Sequence, residues 1–179
     1  MKQLLKIFII ISSVLLFAGC KKNYVISERQ RILFQYEYVN DTGENQHYGF
    51  IIDNGGNVLS YNNPLEWNFP DNDLNITDNQ VDENIARCIN SGKRIPVEEL
   101  LKFSNAIENI ASSKVTAIKN NGTDAGKTVF ICYQFSESTG TYKGSLIKME
   151  GDNNCENLNY YSKKVTSWMR EIGDSIFIK

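Results

Sequence analysis

Four residues in the stretch LEWNFPDND, namely Glu66, Trp67, Asp71 and Asp73, have the side chains from which a carbohydrate- or peptide-binding groove is built. Two carboxylates held at a defined separation carry glycoside hydrolysis, and an aromatic ring beside them stacks on a sugar face. The same stretch also puts Asp71, Asp73, Asn75 and Asp82 near positions 1, 3, 5 and 12 of a calcium loop. Such a loop turns on a glycine at its sixth position, and Ile76 stands there, with Asp82 in place of the usual Glu. A solvated lead-in to a helix, rich in capping residues, is therefore the better reading of the acids. Ligand binding at Glu66, Trp67, Asp71 and Asp73 is kept as an expectation against a plainer one, in which Trp67 tacks the loop onto the core.

Other chemistry finds little support. His47 is the single histidine and lies in NQHYGF, at the start of a strand signal, with no G-x-S-x-G to supply a nucleophile. Glycine stretches such as Asn54-Gly55-Gly56 match neither phosphate-binding order. Besides Cys20 the chain has Cys88, Cys132 and Cys155, without the C-x-x-C spacing of thiol redox chemistry. Core burial of Cys88 and Cys132 competes with a disulfide, for which Cys132 and Cys155 are the candidates. No catalytic residue, metal ligand or cofactor is assigned. A net charge of −2, with no long Lys/Arg cluster, gives no general attraction to nucleic acid.

The elements that must position these residues follow from periodicity. RILFQYEYV (31–39), HYGFIID (47–53) and GNVLSYN (56–62) alternate as strands, the last two joined by a tight Asn-Gly turn. TVFICYQF (128–135) and TYKGSLIKM (141–149) predict a second hairpin. Residues 63–78 have two prolines and no clean period, so they read as an irregular loop. Three helices are expected. One is capped at Thr77 or Asp78 and stopped by Gly92, with Val81, Ile85 and Cys88 on its apolar stripe. One starts at Pro96 and buries Leu100, Phe103, Ile107 and Ile110. The last, from about Ser162 to Glu171, buries Val165, Trp168, Met169 and Ile172. SIFI (175–178) is left as a terminal strand or an extended tail. The fold class expected is α+β, with a largely antiparallel sheet of about five strands and the three helices packed on one face.

The chain opens with Lys2 and Lys6 around an eleven-residue apolar run, IFIIISSVLLF (7–17), too short to span a bilayer, followed by Ala18-Gly19-Cys20. This pattern resembles the lipobox of bacterial lipoproteins. The resemblance implies cleavage after Gly19, a lipid on Cys20, a tether over 20–30 and a single domain over 31–179. With the Asn/Tyr-rich remainder, the chain resembles the small exported lipoproteins of the Bacteroidota, a class marked by location and not by one activity. That implies a lipid-anchored place in the cell envelope, with an envelope protein or glycan as partner. Lys21-Lys22 departs from the acidic signal expected for surface display, which favours the outer membrane facing the periplasm. Asp174-Ser175-Ile176 resembles the O-glycosylation acceptor of exported Bacteroidota proteins, making Ser175 a candidate modification site. The function expected is a non-catalytic envelope domain that binds a protein or polymeric ligand, the alternative being an enzyme on glycans or peptides without a histidine mechanism.

Overall fold

The computed structural model describes residues 26–42, 45–122 and 125–177; Cys20 and the rest of the leader lie outside them. The elements run β1 (Ile32–Asn40), β2 (Gln46–Asp53), β3 (Asn57–Asn62), β4 (Asn75–Thr77), α1 (Asp78–Ala86), β5 (Ile89–Arg94), α2 (Val97–Ser104), α3 (Ile107–Ala111), β6 (Lys119–Asn120), β7 (Lys127–Ser136), β8 (Thr141–Gly151), β9 (Asn153–Glu156) and α4 (Ser162–Phe177). The fold is α+β and every strand pairing is antiparallel.

The five strands that alternate in the sequence are all present, but the sheet has nine, in the order β5-β3-β2-β1-β7-β8-β9-β6. The ninth, β4, pairs with the start of β8, while β9 pairs near its end, so the two share one edge of that long strand. Of the four additional strands, β5 is as long as β3 and the other three are shorter: β4 lies inside the expected loop, and β9 takes the segment around Cys155. Gly92, expected to stop a helix, lies instead in β5 at φ 79°, since α1 already ends at Ala86.

Side chains of a strand alternate between faces, and here both faces are buried. On one, Phe34, Phe50, Ile52, Phe130 and Ile147 meet α2, α3 and α4 through Leu100, Phe103, Ile107, Ile110, Val165, Trp168, Met169 and Ile172. On the other, Ile51, Tyr61, Val129, Ile131, Tyr133 and Tyr142 lie under Trp67, Ile76 and Val81, from the 63–74 segment, β4 and α1. The expectation of helices on one face is thus corrected: α1 covers the face opposite the other three. A register shift between Ile32 and Phe34 lets Leu33 and Phe34 both point to the three-helix side.

Local chemistry explains the helix boundaries. Thr77 caps α1 in a reciprocal pair with Gln80, as the sequence suggests. The helix expected from Pro96 through Ile110 is present as two, α2 and α3, broken at Asn105-Ala106, where the last carbonyls of α2 bond to Asn105 and Ala106. In α4 the stripe continues past Ile172, so Ser175, Ile176 and Phe177 are helical, while Ile178 lies outside the described residues. Each fully buried Met or Ile of that stripe contributes about 2 kcal/mol of gross stabilisation.

The segment expected as tether is docked from Ile26 onward. Ile26 packs on the three-helix core, and the Gln30 amide donates to the carbonyls of Ile32 and Tyr133 while accepting from the Phe135 N–H. Asn54 holds the carbonyl of Glu28, and the Tyr142 hydroxyl donates to that of Arg29.

Candidate functional site

The four residues read as a groove do not converge. Trp67 is 9% exposed, and its ring lies 4.2 Å from that of Tyr61 and 5.5 Å from His47. Glu66 stands outside at φ 56°, with its carboxylate 3.3 Å from Arg87. The Asp71 carboxylate closes its own turn, accepting from the backbone N–H of Asp73 and Asn75 and from the Asn75 amide. Those bonds, from Asn75 first, hold its pKa below the usual carboxylate value. Asp73 gives its backbone carbonyl to Lys143, and Asp82 pairs with Arg31. A depression of about 250 Å³ nearby takes in Phe69, Asp71, Asn75 and Gln80, with Asp71 the only one of the four. No group of three or more metal-ligating side chains occurs among the described residues.

Beneath Trp67 is a polar cluster that the sequence did not advertise. Glu37 and Gln35 occupy the β1 positions that face the α1 side, and Glu37 is 6% exposed. The His47 Nε2 lies 2.8 Å from Glu37 Oε1. Gln35 donates through Nε2 to Tyr61 and Glu37 and accepts at Oε1 from the Tyr133 hydroxyl at 2.8 Å. Tyr61 donates to the carbonyl of Tyr36. Gly49 makes room: a Cβ there would stand 2.1 Å from the Tyr36 carbonyl and 2.5 Å from the Tyr61 hydroxyl. Burial, helped by the Glu37 charge, raises the pKa of Tyr61 and Tyr133 well above the ordinary phenol, so both stay protonated donors. Phe69 leans over His47 with ring centroids 5.0 Å apart. Trp67 Nε1 is buried and has no hydrogen-bond partner among the described residues. The cluster can orient a proton between carboxylate and imidazole, but the Trp67 and Phe69 rings stand over His47.

The three cysteines of the described fold are free thiols. Cys132 in β7 and Cys155 in β9 are separated by the whole of β8. Strands two apart lie about 9.5 Å from each other, beyond the roughly 7 Å that a disulfide's α-carbons span. Cys88 is half-buried just past α1, and burial pushes its thiol, like that of Cys132, up to about 12. Ser175 sits in the last turns of α4, its hydroxyl donating to the Ile172 carbonyl and receiving Lys93 at 2.7 Å.

Two outer surfaces complete the inventory. At one end of the sheet, β5 bonds to β3 on one side and to no strand on the other among the described residues. Ile89 on this edge is 74% exposed. At the other end, segments 114–118 and 156–161 run side by side, joined by Thr116 N–H to the Glu156 carbonyl and Leu158 N–H to the Lys114 carbonyl. They expose Val115, Ile118, Leu158, Tyr160 and Tyr161. No family model, no curated protein and no solved structure matches this chain.

Proposed function

We propose that the chain is a lipid-tethered, non-catalytic domain of the bacterial cell envelope that works by binding a partner protein or polymer, and that the partner is taken at the β5 edge. The observation that carries this is the geometry of β5. It is the outermost strand at its end of the sheet, and its exposed residues include an isoleucine beside Asn90, Gly92 and Arg94. An open edge offers backbone donors and acceptors to an added strand, and apolar side chains beside it supply the contact area. A lipid on Cys20, with the outer membrane facing the periplasm as its place, raises the effective concentration of any envelope partner. Glu66, Trp67, Asp71 and Asp73 do not form one groove, so the binding surface proposed lies elsewhere, at β5.

Ile89→Lys tests this reading, since the side chain is exposed and the change leaves the core untouched. Retention of the purified chain on immobilised envelope proteins from the producing cell is expected to fall about tenfold or more. Unchanged retention would remove the β5 edge from the account. The alternative, an enzyme on glycans or peptides, was expected to work without a histidine, and a catalytic reading would instead have to use the Glu37–His47 pair. Turnover of murein strands or peptides by the natural chain and not by Glu37→Gln would establish it in place of the binding role.

A further inference from the structure

The exposed surface at the β6–β9 end has a composition that sets it apart from the rest of the molecule. Residues 114–119 and 156–164 together hold Lys114, Lys119, Lys163 and Lys164 against one acid, Glu156, which is paired with Lys148, in a chain where acids outnumber Lys and Arg. All four lysines are exposed, and none is in an ion pair among the described residues. Between them stand Leu158 at 66% and Tyr160 at 72% exposure, with Ile118 and Tyr161. The Lys164 ammonium sits 4.5 Å from the centre of the Tyr160 ring. Apolar side chains and tyrosines flanked by unpaired lysines suit one environment, the headgroup layer of an anionic membrane. There aromatic rings lie at the polar–apolar boundary and lysines reach the phosphates.

We infer that this surface is a second membrane contact, which seats the tethered domain on anionic lipid. The inference rests on the lipid anchor of the proposed function. Seated so, the sheet presents β5 at its far end, six strand spacings or about 29 Å from β9. The membrane contact and the partner edge then do not compete.

Amide hydrogen exchange on the full chain, purified from membranes and placed in lipid nanodiscs, tests the contact. Exchange over 114–119 and 157–164 is expected to slow several-fold on discs with phosphatidylglycerol relative to discs of phosphatidylcholine alone. The triple change Tyr160→Ala, Lys163→Glu and Lys164→Glu, all at exposed positions, should return it to the phosphatidylcholine value. Equal exchange on both discs, or slowing only when envelope protein is added, overturns the membrane contact. The mass of the N-terminal peptide reads the anchor separately. An acylated Cys20 with an unprotected surface refutes the contact alone. An unacylated Cys20 with a surface protected by discs added in trans refutes the anchor alone.

Discussion

Glu37 is the residue on which the α1-side core depends most. Its carboxylate is buried and has the His47 ring as its nearest partner, with Gln35 beyond. Removing a buried hydrogen-bonded carboxylate leaves its partners unsatisfied, at a cost of about 2 kcal/mol. Glu37→Ala is therefore expected to lower the unfolding free energy in urea by about that much, and a loss under about 1 kcal/mol would show the contact to be incidental. The alternation of β1 made this residue look solvent-facing, because Gln35 and Glu37 fall opposite the Phe34-Tyr36-Tyr38 row. The signal to the contrary was in β7, where Val129, Ile131 and Tyr133 are as apolar as Phe130 and Cys132. A strand apolar on both parities is covered on both faces, and its neighbour β1 shares that burial. Trp67 was legible as a core tack, but the acids around it spread apart, Asp71 being taken up by its own loop and Glu66 by Arg87.

At the scale of elements, β8 and α4 are clamped by charge. Arg170 of α4 and Lys148 of β8 both reach Glu150. Burial opposes ionisation of Glu150, yet the hydrogen bonds from Arg170 and Lys148 outweigh it and hold its pKa below the usual 4.5. A carboxylate depressed in the folded state stabilises the fold above its unfolded value and loses that contribution as pH falls through its folded value. The melting-temperature gap between the natural chain and Glu150→Gln should thus be largest near neutrality and close below about pH 4.5. A gap independent of pH would mean that the clamp acts through packing. The five long strands and the stripe of α4 could be read directly from periods of two and 3.6. The other strands could not. INSGKR, NNCE and KN have no apolar alternation; β5 and β9 take the edges that β3 and β8 offer, and β6 takes that of β9. The break at Asn105-Ala106 was equally hidden, since Phe103 and Ile107 keep helical spacing across it.

For the whole molecule, the sheet has two unlike ends. The β6–β9 end is rich in lysine and tyrosine, and the β5 end is open. This polarity depends on a strand order that no local pattern encodes. On the proposal that Cys20 carries a lipid, the anchored domain faces the membrane with one end and a partner with the other. The measurement that tests this arrangement most directly is photo-crosslinking in the producing cells, with a light-activated residue placed at Ile89 or at Tyr160. The account predicts protein adducts from Ile89 and lipid adducts from Tyr160. Lipid adducts from Ile89, or the same products from both positions, would contradict it.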